Sequence, residues 1–216
     1  MSRPLLVSDC DEVLLHMVVP FQGWLDTEKH IHFDLERTDF VDALRHKHDG
    51  TLLEPPQVWP LLQAFFDTEM HRQQAIDGAV AAIAQISEIA DVAILTNLLD
   101  DRRIARTAQL QAVGIDFPVH TNQGGKGRAL EAIIANYDPS VVVFVDDLCH
   151  QHESVAEHLP HVWRLQMVGE PLLARYVKGT SAAHARIDRW DDALPWILDK
   201  FASGAAAPLA AIGETG

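Results

Sequence analysis

An apolar run over residues 4–8 ends in Ser8 and delivers Asp9-Cys10-Asp11-Glu12; a second, over 141–145, delivers Asp146-Asp147. Two carboxylates two residues apart suit two tasks in one reaction. Asp9 is of a type that can attack phosphorus and carry the phosphoryl group as an acyl phosphate. Asp11 can then protonate the leaving oxygen and later deprotonate an attacking water. Acids this close repel when both are ionised, which raises one proton affinity or recruits a cation. Mg2+ is the natural one, being hard, oxygen-seeking and satisfied by few protein ligands. If the two runs are neighbouring strands, four acidic side chains converge. The alternative is that each pair caps a following helix, a position Asp favours.

Two further segments add phosphate-binding groups. Thr96-Asn97 closes an apolar run at 92–95, and its hydroxyl and amide could donate to a phosphate oxygen, although helix capping explains an isolated Thr equally well. Thr121-Asn122-Gln123-Gly124-Gly125-Lys126-Gly127 puts Lys126 at a helix start behind glycines, where ammonium and helix N-terminus together suit an anion. The spacing is not that of a P-loop.

The elements that position these groups alternate. Apolar runs at 4–8, 92–95, 117–120, 141–145 and 162–167 are separated by helical patterns at 78–90, 102–113, 126–137 and 191–201, which predicts an α/β, Rossmann-like fold with a parallel sheet. The run Val141-Val142-Val143-Phe144-Val145 suits a strand covered on both faces. Val80, Ile83, Ile86 and Ile89 are taken as one helical face. Residues 14–77 break the rhythm, with amphipathic stretches, breakers at Gly50 and Pro55-Pro56, and no persuasive buried strand. They form a mostly helical insertion over the carboxyl ends of the strands, where open α/β sheets bind ligands. The expected organisation is therefore a core of 1–13 and 78–201, an insertion of 14–77, and a flexible tail of 202–216.

With 216 residues, 48% of them hydrophobic and 22% charged, the chain can bury one ordinary globular core. A net charge of −14 disfavours a nucleic-acid duplex or an anionic membrane as partner. The first residues lack the apolar core of a signal peptide, and no stretch approaches the roughly 20 apolar residues of a membrane span, so cytoplasmic residence is expected. Two cysteines, Cys10 and Cys149, make no disulfide framework; they are space fillers or, less simply, a redox pair. The twelve histidines include His30/His32, His46/His48 and His150/His152, whose i,i+2 spacing argues against zinc, while His150 and His152 follow Asp146-Asp147 closely enough to reach the site. In the insertion, Phe21, Trp24, Phe33, Phe40, Trp59, Phe65 and Phe66 offer apolar surface, and Arg37, Arg45, Lys47 and Arg72 are candidates to meet an anionic substrate.

In chain order, Asp9-Cys10-Asp11, Thr96, Lys126 and Asp146-Asp147 resemble the four motifs of the haloacid dehalogenase superfamily, across nearly the whole chain apart from insertion and tail. The resemblance implies a sheet of order 5-4-1-2-3 with a small α-helical cap after the first strand. It implies Asp9 as nucleophile and metal ligand, and Asp11 as acid/base with its backbone carbonyl on the metal. Thr96 and Lys126, with Asn97 beside them, would bind phosphate. Asp147 would be the more direct Mg2+ ligand and Asp146 its neighbour. The implied activity is hydrolysis of a small phosphorylated metabolite through an aspartyl phosphate; dehalogenases of this fold do not need the second acid. A phosphotransferase or phosphomutase, a 5′-nucleotidase, and a non-catalytic metal or phospholigand-binding module share the same residues. Two positions depart from the pattern: Glu12 stands where many members have glycine, and Gln151 where one form of the fourth motif has aspartate. The run Asp11-Glu12-Val13 is similar to that of some bacterial 5′(3′)-deoxyribonucleotidases.

Overall fold

The strand β1 (Leu5–Ser8) is buried at every residue, as is β6 (Val142–Asp146), because each lies inside a sheet with helices over both faces. The structure, a computed structural model, describes residues 2–37 and 40–208, with the backbone alone at Phe40. β1 pairs in parallel with β4 (Asp91–Thr96) on one side and β6 on the other. β5 (Val119–Thr121) continues beyond β4, and β7 (Trp163–Gln166) beyond β6. These five strands stand in the expected 5-4-1-2-3 order. A sixth, β8 (Ala185–Arg186), extends the sheet past β7; two half-buried residues are too few to carry a pattern in the sequence. With β1 central, the carboxyl ends of β4 and β6 flank its own, so Thr96, Asp146 and Asp9 emerge side by side.

One face of the sheet packs on α4 (Ala79–Ile89) and α9 (Trp190–Ser203), with Ile83, Ile86, Trp190 and Ile197 in the core. The other packs on α6 (Gly127–Tyr137) and α7 (Cys149–His158), through Leu130, Ile133 and Val155. α5 (Arg103–Ala112) adds Leu110 to the first of these clusters. The face of α4 differs from expectation: Ala79, Ala82, Ile83 and Ile86 are buried, whereas Ile89 is largely exposed. At about 100° per residue, a step of three falls about 60° short of a full turn. Three such steps carry Ile89 to the side opposite Val80.

The insertion is built from α1 (Val18–Trp24), a π-helical turn at Leu25–Lys29, α2 (Phe40–Ala43) and α3 (Pro55–Thr68). It also holds β2 (Ile31–Phe33) and β3 (Leu44–His46), paired antiparallel, a small sheet not foreseen in a segment expected to be mostly helical. Three residues give only one alternation, buried-exposed-buried in β2, too little for a periodic signal. A second apolar cluster lies mostly in the insertion and is completed by Leu98, Val168 and Leu173 of the core; in it the Phe21 ring lies 6.1 Å from Trp24 and 5.3 Å from Phe65. The chain leaves and returns at adjacent points. His16 N donates to Gln74 O (2.9 Å), Ile76 N to Leu14 O (2.9 Å), and Leu15 and Ala75 form an antiparallel bridge. A further tie comes from Arg102, whose guanidinium meets Asp67 of α3 at 2.7 Å.

At the carboxyl end, α9 runs on to Ser203, and the start of the segment expected to be a flexible tail is docked. Ala207 N donates to His161 O (2.9 Å), and the Trp163 indole donates to Ala205 O (2.8 Å). Residues 209–216 of that segment lie outside the described residues. Among the described residues no helix is long and apolar enough to cross a membrane.

Candidate active site

The loop after β1 is fixed by its own backbone. Asp9 N donates to Val145 O (2.8 Å), carrying the β1–β6 pairing one residue past the strand, and Leu14 N and Leu15 N converge on Cys10 O (2.8 and 2.9 Å). Closing so tight a loop puts Glu12 in the left-handed region (φ 62°), which costs a non-glycine residue on the order of 1 kcal/mol. The Glu12 side chain offsets that cost. Its Oε1 accepts from Met17 N (2.8 Å) and Val18 N (2.6 Å), satisfying orphan donors at the start of α1. Its Oε2 is buried without a partner. The Glu12 carbonyl accepts from Gly169 N (2.6 Å), and a Cβ at Gly169 would sit 2.5 Å from Ile76 Cδ1, so the contact requires glycine.

Lys126 binds two of the acids at once. Its Nζ lies 2.7 Å from Asp9 Oδ1 and 2.7 Å from Asp146 Oδ2, and all three side chains are buried. Burial alone would lower the Lys126 ammonium, but Asp146 and Asp9 outweigh it and hold the group above its ordinary value. Asp9 is pushed from 3.8 up to about 7, chiefly by burial, with Asp146 and Asp11 adding to it against the pull of Lys126. Asp147 is raised too, by burial and then by Asp146, Asp9 and Glu12. Asp9, Asp146 and Asp147 each present a carboxylate oxygen within 4.8 Å of the others. Three buried carboxylates share one ammonium, so the cluster either retains a proton or takes a cation. A hard divalent ion fits this donor set. Asp146 is the most committed of the three, because its Oδ1 also accepts from Leu148 N (3.0 Å), which leaves Asp9 and Asp147 as the freer ligands.

Gln151, the apparent departure, has its own use here: Oε1 accepts from Lys126 N (2.8 Å) and Nε2 donates to Gly124 O (3.1 Å). It fixes the loop that delivers the lysine. Gly127 lies so close to the Ser154 backbone of α7 that a Cβ there would collide with it. Thr96 is buried at the end of β4 and lines the cavity over the acids. Asn97 lines it as well, but its amide donates to Gly124 O (2.9 Å) and its Oδ1 accepts from Asn122, so it braces the lysine loop more than it faces a ligand.

Asp11 has a setting the sequence does not reveal. Its Oδ2 meets Nη2 of the fully buried Arg106 at 2.9 Å, and its Oδ1 accepts from Gln73 Nε2 at 2.7 Å. Arg106 also donates to Cys10 Sγ (3.1 Å). Asp11 borders the cavity but is held by a core helix on one oxygen and by the returning end of the insertion on the other. The available signal was position: Arg106 shares the buried stripe of α5 with Leu110, four residues on, where an apolar residue is the norm.

Both thiols are free; burial drives Cys10 well above its ordinary value, so it is a neutral hydrogen-bonding neighbour and not a nucleophile. Among the described residues the group of side chains that could hold a metal ion is the Asp9, Asp146 and Asp147 cluster, with no histidine in it. His150 lines the cavity, while His152 is buried, its burial lowering its proton affinity, with Nε2 3.0 Å from the Asp146 carbonyl. The cavity measures about 600 Å³. Of the four cations expected in the insertion only Arg37 borders it; Lys47 pairs with Asp26, Arg72 with Glu69, and Arg45 donates to Gly50 O.

Neither a family model nor a curated protein matches the sequence. Solved structures do match in fold. A haloacid dehalogenase-like hydrolase from Streptococcus pneumoniae superposes with a TM-score of 0.62 at 10% identity, over 89% of this chain and 97% of that one. A protein from Haemophilus somnus described as a phosphoglycolate phosphatase gives 0.62 at 12% identity, over 89% and 97%. One from Thermotoga maritima described as a β-phosphoglucomutase gives 0.56 at 12%, over 91% and 99%.

Proposed function

On the premise that this chain has the haloacid dehalogenase-like fold, we propose that it is a phosphatase acting on small phosphate monoesters with Asp9 as nucleophile. The observation that carries the reading is the convergence of Asp9 and Asp146 on the Lys126 ammonium, with Asp147 alongside and Asp11 at the same cavity. Residues 14–77 serve as the cap, closing the site from above. Asp9 and Asp147, with Asp146 behind them, would hold Mg2+, which when bound offsets the charge of the phosphoryl oxygens.

Asp9 attacks phosphorus in line, the bond to the ester oxygen breaks, and Asp11 gives that oxygen a proton. Water then attacks the aspartyl phosphate, Asp11 takes its proton, and Asp9 is released with inorganic phosphate. Lys126 keeps Asp9 aligned and, with Thr96, binds the transferred group. Because Arg106 and Gln73 occupy both oxygens of Asp11, proton delivery requires Asp11 to loosen at least one of these contacts. The decisive experiment is Asp9→Asn assayed on p-nitrophenyl phosphate with Mg2+: turnover should vanish while the variant remains folded, and retained turnover refutes the mechanism.

A further inference from the structure

We infer, resting on the phosphatase reading, that the substrate is a phosphate ester of an uncharged, largely apolar alcohol and not a sugar phosphate or a phosphorylated acid. The grounds are the walls of the cavity. Its floor is polar and already accounted for: Asp9, Asp11, Glu12, Thr96, Asn97 and Asp147 surround the reacting phosphate. Above that floor the lining turns apolar, through Met17, Val18, Phe33, Leu62 and Phe66 of the insertion and Leu173 opposite.

Sugar hydroxyls would find few partners there. Beyond the floor, the described polar side chains lining the cavity are Arg37 and His150. On the floor itself, Asn97 spends its amide on the lysine loop, and Glu12 spends one oxygen on α1. Each hydroxyl buried without a partner would weaken binding roughly five-fold or more. A second carboxylate on the substrate has one described cation beyond the floor to meet: Arg37, half exposed and 3.4 Å from Asp34, is shared with an acid of the protein and screened by solvent. The apolar lining also reaches the mouth. Trp59 and Leu148 both border the cavity while remaining 53% and 42% exposed. An apolar group leaving the floor toward solvent would cover both. A cavity of about 600 Å³ lies within the range that encloses most of a small molecule.

The test compares kcat/KM for ethyl, n-butyl and n-hexyl phosphate with that for glucose 6-phosphate and phosphoglycolate, all esters of primary alcohols, with Mg2+ present. Burying a methylene is expected to raise kcat/KM about four-fold, so hexyl phosphate, four methylenes longer, should exceed ethyl phosphate by about 250-fold if all four are covered. Trp59→Ala should flatten that rise. A flat alkyl series, or glucose 6-phosphate or phosphoglycolate outrunning hexyl phosphate, overturns the inference while leaving phosphatase activity standing. If no ester turns over, the phosphatase reading fails instead. Calorimetry with ethyl- and n-hexylphosphonate then decides the cavity's preference by itself: tighter binding of the longer chain upholds it, and equal binding overturns it.

Discussion

Removing the divalent ion should make the stability of this protein depend on pH in an unusual direction. Most carboxylates in folded proteins are stabilised as anions, so stability falls with acid. Asp9 and Glu12 are the reverse: burial, first among the causes for each, pushes Asp9 from 3.8 and Glu12 from 4.5 up to about 7. A carboxyl whose proton affinity is higher in the folded than in the unfolded chain contributes stability that is fully present below its unfolded value, about pH 4. That contribution is lost as pH rises through about 7. Each tenfold in proton affinity is worth about 1.4 kcal/mol, which gives about 4 kcal/mol for Asp9 and about 3 for Glu12. A scan starting at pH 5 spans only part of each shift, about 2–3 kcal/mol apiece, and because the two share the Asp11 neighbour we take about 3–4 kcal/mol for the pair. For a chain of this length that is about 10 °C in melting temperature. Scanning calorimetry in EDTA between pH 5 and 8.5 should therefore show a falling midpoint, and saturating Mg2+ should restore it at pH 8 while doing little at pH 5. The difference between wild type and Asp9→Asn isolates the Asp9 share, because the amide cannot titrate. A midpoint that rises with pH in EDTA, or a Mg2+ shift equal at both ends, would refute the picture of a charge-starved acid cluster.

Other variants test the supports. Arg106→Met leaves Asp11 without its buried cation and should cost about 3–5 kcal/mol in urea unfolding; a loss under about 1 kcal/mol would show that the pair is not structural. Gln151→Ala frees the loop that carries Lys126, and steady-state kinetics should show kcat/KM down on the order of ten-fold, with the melting temperature lowered by a few degrees because the buried Lys126 N–H loses its acceptor. Gly127→Ala forces α6 away from the Ser154 backbone, costing about 1–3 kcal/mol in the same urea assay and lowering kcat as Lys126 moves with the helix.

The acids and the lysine were legible because each follows a local signal. Asp146 directly follows an uninterrupted apolar run, Asp9 follows one closed by Ser8, and Lys126 follows two glycines at a helix start. The parallel sheet was legible for the same reason, since a strand buried on both faces writes its burial into consecutive residues. What escaped was whatever depends on two distant segments meeting. Arg106 and Gln73 reach Asp11 across 95 and 62 residues, and Gln151 reaches Lys126 across 25. Nothing in the spacing of either segment encodes the partner. β2, β3 and β8 escaped by brevity, and the α4 face was misplaced by a step that precesses around the helix.

The antiparallel bridge between Leu15 and Ala75 also bears on how such a protein can change over generations. Exit and return of the inserted segment are separated by no more than the width of a hydrogen-bonded pair. A replacement of almost any length could be spliced there without moving β1 or the loop that carries Asp9, because a graft needs only closely spaced ends. Under the proposed function, the choice of leaving group and the chemistry at phosphorus could then drift under separate selection. The contacts that would resist an exchange include Gln73 on Asp11, Glu12 at the head of α1, Asp67 and Gln63 on Arg102, His16 on Glu170, and the packing of Leu98, Val168 and Leu173 against the insertion. A chimaera that preserves these contacts should retain the reaction while adopting the donor's preferences.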